Sequence, residues 1–401
     1  MICRLCGALV ERVFVDLRHA PASNSFLTAT QLHLPETYFP LRVMVCDSCR
    51  LAQIDEYKAH DEIFNAEYVY FSSYSHSWVQ HARTYVDHVV ERLGLHRTSQ
   101  VVEIASNDGY LLQWFVKKGI PCLGIEPAKA TAAAAEQRGV ESWTVFFGRG
   151  TANRLVRERG PSDLIVGNNV LAHVPDLLDF CGGLALALAP AGTITLEFPH
   201  LLRLLDECQF DTIYQEHFSY LSLHTAARAL GTANLEIWDV EELPTHGGSL
   251  RVYAQHRGGP HDVSAHVSQL LGREVAAGLE AEHAYAGFAE RVDRIKCDLL
   301  AFLVSERRAG RSVAAYGAAA KGNTLLNFCG VHSDLVAFCC DANPNKQGLF
   351  MPGSHIPVLP PEALRERRHH RSSSSLAASA ISSSDSGPSG RYHWPLQLSM
   401  P

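Results

Sequence analysis

Four cysteines near the N-terminus have the clearest capacity for chemistry, because they form two Cys-x-x-Cys pairs. The pairs are Cys3 with Cys6 and Cys46 with Cys49. The two-residue spacing lets both sulfurs of a pair reach one ion from a tight turn, and four thiolates leave that ion no open position. This pattern predicts a structural zinc site that lies away from the chemistry. The alternative is a redox dithiol, which uses a single pair beside a βαβ unit.

A second set of candidate residues surrounds a short turn in the string VVEIASNDGYLL. Glu103 lies late in an expected strand, and the tight turn runs from Ser106 to Gly109 before a helix starts. Cofactors dock at such turns because small residues allow close backbone approach. The pattern G-x-G-x-x-G is absent, which argues against a nicotinamide cofactor. Glu126 ends the next strand, where a carboxylate can accept hydrogen bonds from both ribose hydroxyls of an adenosine.

The elements that must position these residues alternate between strand and helix. Five strings are expected strands separated by helix-length segments: SQVVEIAS, PCLGIEP, DLIVGNNV, GTITLEFP and EIWDVEEL. Such alternation predicts a mostly parallel sheet covered on both faces. Helical periodicity predicts a helix from Ser75 to Leu93, ending before Gly94, and one long helical stretch over residues 262–310. Short strands are expected in residues 1–65, and RSVAAYG starts a second strand–loop–helix unit.

These patterns predict an α/β protein with four segments. They are a small zinc-binding domain (1–65), a central Rossmann-like domain (66–260), a smaller C-terminal helical and α/β domain (261–365) and a disordered low-complexity tail (366–401). The last 31 positions contain 11 serines and no periodicity. The tail is either a simple flexible extension or a replacement for the elements that would complete the C-terminal domain, as a reading-frame change would produce.

Composition excludes several classes of function. The 35 Lys and Arg face 42 Asp and Glu, a formal net charge of −7 that disfavours a nucleic-acid partner. No apolar run approaches the ~18–20 residues that cross a bilayer. The start, MICRLCGALVERVF, lacks the basic patch and apolar core of a signal peptide. We therefore expect a cytoplasmic protein with no membrane partner. The seven cysteines outside the two pairs are expected to act as small buried hydrophobic residues.

The turn and the strand ends together resemble the class I methyltransferase fold, which binds S-adenosylmethionine. Residues 103–109 match its first motif, with Ala105 departing from the glycine pattern, and Glu126 matches its ribose-binding acid. The string NNVLAHVPD matches the segment after its fourth strand. The resemblance implies cofactor binding by Glu103, Ala105, Asn107, Gly109, Tyr110, Glu126, Pro127, Phe146, Phe147, Asn168 and Asn169.

Four further strings sharpen the resemblance: YVYFSSYSHSW, YQEHFSYLS, HGGSLRVY and YGAAAKGNTLLN. With the zinc knuckle, they are similar to the sugar C-methyltransferases that act on nucleotide-linked keto-deoxysugars in antibiotic pathways. The similarity covers residues 1 to about 365 and implies a monomer that methylates C-3 of a dTDP-linked 4-keto sugar. Family members continue with ordered strands where this chain has its tail. The residues implied to bind substrate are Tyr68, Tyr70, Lys321 and Asn323.

Lys321 and Asn323 lie in AAAKGN, a small-residue segment expected to be a loop between a strand and a helix. Such a loop can present backbone N–H groups and one cation to a phosphate. An ordinary turn with a solvated lysine remains the alternative.

Methylation of carbon needs a base that removes a proton next to the ketone. His217 is the best candidate because histidine titrates near neutral pH. Tyr214 can donate a hydrogen bond to the developing enolate oxygen, and Glu216 can orient the imidazole. His173, after the strand DLIVGNNV, is the alternative base. Two other functions stay open, an RNA methyltransferase with a zinc knuckle and a non-catalytic relative.

Overall fold

The computed structural model describes residues 1–57, 71–281, 283–364 and 397–399. These residues form two units, each assembled from separate stretches of the chain. Unit 1 contains Met1–Arg12, Met44–Leu204 and His217–Tyr285, and unit 2 contains Val13–Val43, Leu205–Glu216 and Ala286–Pro401. The domain limits expected at residues 65, 260 and 365 stay predictions.

The described residues contain strands and helices in the alternation that the sequence predicts. The strands are β1 (Arg12–Ala20), β2 (Phe39–Val45), β3 (Ala52–Gln53), β4 (Val101–Ile104), β5 (Cys122–Ile125), β6 (Ser142–Trp143), β7 (Ser162–Asn168), β8 (Leu188–Pro199), β9 (Ser219–Tyr220), β10 (Leu235–Leu243), β11 (Ser249–His256), β12 (Val313–Tyr316), β13 (Val336–Cys340), β14 (Val358–Leu359) and β15 (Gln397–Ser399). The α-helices are α1 (His76–Leu93), α2 (Leu112–Lys117), α3 (Lys129–Gln137), α4 (Arg149–Arg159), α5 (Leu177–Ala187), α6 (Leu201–Asp206), α7 (Leu223–Gly231), α8 (Ala265–Ala276), α9 (Phe288–Arg308) and α10 (Ala320–Cys329).

A seven-stranded sheet in the order β10-β11-β8-β7-β4-β5-β6 forms the centre of unit 1. The five neighbouring strands β8, β7, β4, β5 and β6 are parallel. Strand β11 runs antiparallel to both of its neighbours, β10 and β8. The chain leaves β4 toward β5 and β6, then returns to build β7 and β8 on the other side. Ligands of such sheets bind at this switch point, outside the carboxyl ends of the strands. The ends of β4 and β7 therefore mark the expected crevice.

Local signals explain where these elements begin and end. All four residues of β4 are buried, as expected for a strand covered on both faces. Helix α1 begins after Ser75, whose hydroxyl accepts the backbone N–H of Trp78, and ends at Gly94 in the left-handed conformation. The predicted helix from Ser75 to Leu93 is therefore confirmed.

The N-terminal part of unit 1 contains two cysteine turns and short antiparallel pairings. Met44 pairs with Gln53, and Gln53 pairs in turn with Ser219 of β9. Strand β9 is thus hydrogen-bonded to β3, which follows the second pair of cysteines in sequence. This connection places the segment after His217 beside the N-terminal strands.

Unit 2 contains a small sheet in the order β14-β13-β12-β15, in which β12, β13 and β14 are parallel. Strand β15 pairs antiparallel with β12, so residues 397–399 differ from the predicted disordered tail. Residues 365–396 lie outside the described part of the chain.

Two other expectations about the C-terminal half are corrected. Residues 262–310 are not one helical stretch, because α8 and α9 are separate and left-handed glycines, Gly278 and Gly287, lie between them. Among the seven remaining cysteines, Cys297 is exposed rather than buried. No helix in the described residues is long and apolar enough to cross a membrane.

Candidate active site and metal centre

The four N-terminal cysteines converge in unit 1. Their sulfurs all lie within 4.8 Å of one another, with 3.4 Å between Cys3 and Cys49 and 3.6 Å between Cys6 and Cys46. Tetrahedral zinc–sulfur bonds place sulfurs ~3.8 Å apart, so this donor set fits one zinc ion. The hydrogen bond between Cys3 and Cys49 lowers the pKa of Cys3 and raises that of Cys49, so one thiolate of this pair is favoured even without a metal.

The turn after β4 has an unusual backbone that opens it toward the crevice. Ala105, Asn107 and Gly109 have φ of 57°, 50° and 73°, all in the left-handed region. A Cβ on Gly109 would lie 3.1 Å from side-chain atoms of Ala135 and Val140. Glycine is therefore needed at that position for both conformation and packing. Left-handed non-glycine residues cluster at functional sites, which agrees with the predicted cofactor turn.

Glu126 closes this turn from the end of β5. One carboxylate oxygen accepts a hydrogen bond from the backbone N–H of Asn107 at 2.8 Å, and the other accepts one from the backbone N–H of Ala128 at 2.9 Å. Pro127, which stands between Glu126 and Ala128 in sequence, is half-buried. Burial raises the pKa of Glu126, against those two hydrogen bonds. The residue is only 4% exposed. Each oxygen retains a lone pair for a ribose hydroxyl, so the carboxylate fits the predicted role.

Three buried acidic side chains lie near this crevice, those of Glu103, Asp108 and Glu126. Burial, Glu126 and Asp108 raise the pKa of Glu103 well above its usual value, while a hydrogen bond with Tyr110 lowers it. The ring of Tyr110 stacks on Trp78, with 6.0 Å between centroids. S-adenosylmethionine carries a sulfonium and an ammonium group, and a bound cation would lower the pKa of these carboxyl groups and so favour their charged forms.

The end of β7 contributes two amides. Asn168 is 7% exposed, and both polar atoms of its side chain lack a hydrogen-bond partner among the described residues. Asn169 and His246 both have left-handed backbones, with φ of 53° and 55°. Nδ2 of Asn169 lies 3.0 Å from Nε2 of His246. Buried amides require partners, and a polar cofactor would supply them. The residues present therefore fit S-adenosylmethionine.

Two of the predicted cofactor residues have other surroundings than expected. The side chain of Asn107 accepts the backbone N–H of Ser72, so it ties the segment before α1 to the turn. Phe147 packs edge-on against Phe180, with 5.5 Å between centroids, and Phe146 is the more exposed of the two phenylalanines. The roles of both phenylalanines beside an adenine stay predictions.

Sequence reasoning missed the residues that anchor the segment before α1. Ser73 donates through its backbone N–H and its hydroxyl to Asp108. Arg138 donates to Ser73 and to the backbone oxygen of Asp108. The only sequence signal was indirect, since Ser73 lies in YVYFSSYSHSW and Asp108 in the turn.

Two histidines meet in unit 1, although they lie on separate segments. His173 ends the short helical turn after β7, and His217 lies just before β9. Their rings lie 4.6 Å apart, inclined at 71°. His217 is 7% exposed, and the ring of Tyr220 lies 6.3 Å from it. Tyr220 was not predicted, although it belongs to the string YQEHFSYLS.

The two other predicted catalytic residues, Tyr214 and Glu216, belong to unit 2. Tyr214 is half-buried, and Glu216 is buried and accepts a hydrogen bond from Asn24 at 2.7 Å. Residues 58–70 are outside the described part of the chain, and the predicted substrate residues Tyr68 and Tyr70 fall there.

Lys321 and Asn323 lie in the first turn of α10, not in a loop. Burial lowers the pKa of Lys321, and the nearby carboxylate of Asp211 opposes that shift. Asn323 is buried and donates to the backbone oxygen of Ser23 at 2.6 Å. The alternative interpretation, an ordinary turn with a solvated lysine, is therefore wrong for Lys321.

The chain matches known protein families along most of its length. Residues 3–64 match a zinc binding domain, residues 78–240 a methyltransferase domain and residues 244–372 a C-methyltransferase C-terminal domain. It is 35% identical to the C-methyltransferase NovU of Streptomyces niveus over 360 residues, which cover 90% of this chain and 86% of NovU.

Solved methyltransferase structures also match part of the chain. One from Clostridium acetobutylicum is 11% identical, with a TM-score of 0.37, and covers 45% of this chain and 92% of its own. The second is the magnesium protoporphyrin IX methyltransferase of Synechocystis with S-adenosylmethionine bound. It is 17% identical, with a TM-score of 0.33, and the match covers 45% of this chain and 81% of the Synechocystis chain.

The family matches agree with the class I methyltransferase fold and with the cysteine cluster. Together with the extent of its similarity to NovU, they show that this chain belongs to the S-adenosylmethionine-dependent C-methyltransferases that carry an N-terminal zinc binding domain.

Proposed function

We propose that this enzyme methylates the carbon next to the ketone, C-3, of a nucleotide-linked 4-keto-deoxysugar in antibiotic deoxysugar biosynthesis. The observation that carries the proposal is the meeting of His173 and His217, with 4.6 Å between ring centroids. His217 belongs to a string that resembles the sugar C-methyltransferases, and His173 to one that resembles the class I methyltransferase fold. Carbon methylation next to a ketone needs a base, and an imidazole supplies one near neutral pH.

His217 acts as the base in this proposal. Its imidazole takes the proton from the carbon next to the ketone, and the C–H electron pair becomes the enolate. When S-adenosylmethionine is bound, the enolate carbon would form its new bond to the electrophilic methyl group, while the methyl–sulfur bond breaks and its electron pair stays on sulfur as a neutral thioether. Tyr214 is proposed to donate a hydrogen bond to the enolate oxygen, and Glu216 to orient the imidazole. Both of these roles rest on the chemistry of the two side chains and on their nearness to His217 in sequence.

Shielding from water supports this assignment. His217 is 7% exposed, and a buried base acts in a site where electrostatic interactions are strong. His173 follows Asn168 and Asn169 closely in sequence, so it lies near the proposed methyl donor. His173 can instead be the base, with His217 positioning the sugar.

Substitution of each histidine separates these assignments. With His217 as base, His217→Asn abolishes methyl transfer and also abolishes exchange of the carbon-bound proton with deuterated water. Both ligands should still bind, because the base stabilises the transition state more than the ground state. Mass spectrometry of a panel of dTDP-linked keto-deoxysugars measures both the methyl and the deuterium.

His88→Asn is the matched control, because His88 is exposed on α1 and should leave both reactions unchanged. Normal proton exchange in His217→Asn would end the assignment. Loss of exchange in His173→Asn, with only a raised Michaelis constant in His217→Asn, would make His173 the base.

A further inference from the structure

The first zinc-binding turn presents an arginine to the two segments that carry the histidines. Arg4 lies between the ligands Cys3 and Cys6, in a turn closed by hydrogen bonds from Gly7 to Cys3 and from Cys3 to Ala8. Four cysteine sulfurs within 4.8 Å hold this turn. The side chain of Arg4 is half-buried, so its direction is set by packing rather than by solvent.

The guanidinium of Arg4 makes three contacts in unit 1. It donates to the backbone oxygen of Pro175 at 3.2 Å and to that of Ile54 at 2.5 Å. It also lies over the ring of Phe218, 5.3 Å from the centroid. The planar fork of arginine suits two carbonyl acceptors and an aromatic face at once.

These contacts fall next to the proposed catalytic histidines. Pro175 is two residues after His173, and Phe218 directly follows His217. Ile54 adds a second link, since its backbone N–H donates to the backbone oxygen of Phe218 at 3.1 Å. One side chain therefore contacts both histidine-bearing segments.

The backbone of the same turn is held by a buried glutamine. Gln53 is fully buried, accepts the backbone N–H of Arg4 at 3.0 Å and donates to the sulfur of Cys3 at 3.2 Å. Gln53 also pairs with Ser219 in the register of β3 and β9. The zinc turn and the strand after His217 are thus connected twice.

We propose that Arg4 is a positioning residue, which uses the zinc-stapled turn to hold His173 and His217 in their mutual geometry. The inference rests on the proposed function, because it needs these histidines at the reacting carbon. Proton removal depends on placement of the base to within about 1 Å. The zinc site is then coupled to the chemistry instead of lying apart from it, as the sequence alone suggested.

Substitution of Arg4 tests this role. Arg4→Met keeps much of the stem but removes both carbonyl contacts, and we expect proton exchange into the keto-deoxysugar to fall roughly 10–100-fold. Zinc content and the Kd for S-adenosylmethionine should be unchanged, because neither set of ligands is altered. Arg4→Lys should give an intermediate loss, since an ammonium lacks the planar fork.

Arg50→Met is the matched control, because Arg50 directly follows the ligand Cys49 and contacts the exposed Asp47. Imidazole NMR of histidine-labelled protein adds a readout that needs no substrate. The His217 ring resonances, identified by their loss in His217→Asn, should shift in Arg4→Met and not in Arg50→Met.

Unchanged imidazole resonances and normal exchange in Arg4→Met would overturn the inference while leaving the proposed function intact. Normal exchange in His217→Asn would instead refute the proposed function, and the resonances would still report on Arg4. If Arg4→Met does not fold, Arg4→Lys carries the same comparison.

Discussion

At the scale of single residues, the site depends on polar groups whose burial changes what they do. Glu126 shows this, because its carboxylate accepts two backbone N–H groups and so shapes the turn as well as facing the crevice. Although Glu126 lies at a strand end, it is only 4% exposed. The same residue therefore serves the fold and the proposed ribose contact.

Glu126→Gln is expected to weaken S-adenosylmethionine binding by about 1.5–3 kcal/mol, as for loss of a charged hydrogen-bond acceptor. It should also lower stability, because an amide cannot accept both backbone N–H groups through two oxygens. Calorimetric titration with the cofactor and thermal unfolding measure the two effects. Glu136→Gln, on the exposed face of α3, should show neither, and an unchanged cofactor Kd in Glu126→Gln would place the ribose elsewhere.

At the scale of elements, the two cysteine turns are too small to be stable without a metal ion. Strand β3 has two residues, and the N-terminal turns have few backbone hydrogen bonds of their own. A structural metal supplies folding energy to such segments directly. The turns in turn hold Arg4 and Gln53 against the segments around β9.

Cys46→Ser should lower zinc content and thermal stability together, because serine is a poor ligand and the ion contributes folding energy. Elemental analysis of the purified protein and a melting curve are the measurements. Cys297→Ser is the control, since Cys297 is exposed and lies outside the ligand set. A Cys46→Ser protein that keeps one zinc and melts normally would contradict the assignment of the four ligands.

At the scale of the whole molecule, charge separates the sugar proposal from an RNA methyltransferase. Acidic residues outnumber basic ones, with a net charge of −7 over 401 residues. RNA binding depends on neutralising phosphates with lysine and arginine, and its affinity falls steeply with salt.

Transfer RNA and a single-stranded oligonucleotide are therefore expected not to bind at either low or moderate salt. Fluorescence anisotropy at about 50 and 200 mM salt provides the measurement, because phosphate contacts would produce a large loss between them. Tight binding at low salt that falls across this range would favour the RNA alternative. Light scattering of the same sample tests the expected monomer against the chain mass of 44.1 kDa.

The sequence by itself determined the parts of this protein that depend on short-range patterns. The two Cys-x-x-Cys pairs, helix α1 between Ser75 and Gly94, and the alternating strands of the sheet were all predicted. Capping bonds, left-handed glycines and hydrophobic periodicity act over a few residues, so they can be read along the chain. The parallel order also indicated which strand ends would face the crevice.

Only the tertiary structure decided which side chains meet. It brought His173 to His217, turned Asn107 toward Ser72, and placed Lys321 within a helix. It also directed Arg4 from a zinc turn to Pro175. These outcomes depend on packing between segments distant in sequence, where the direction of a side chain is set by the neighbours that bury it and not by its own local pattern.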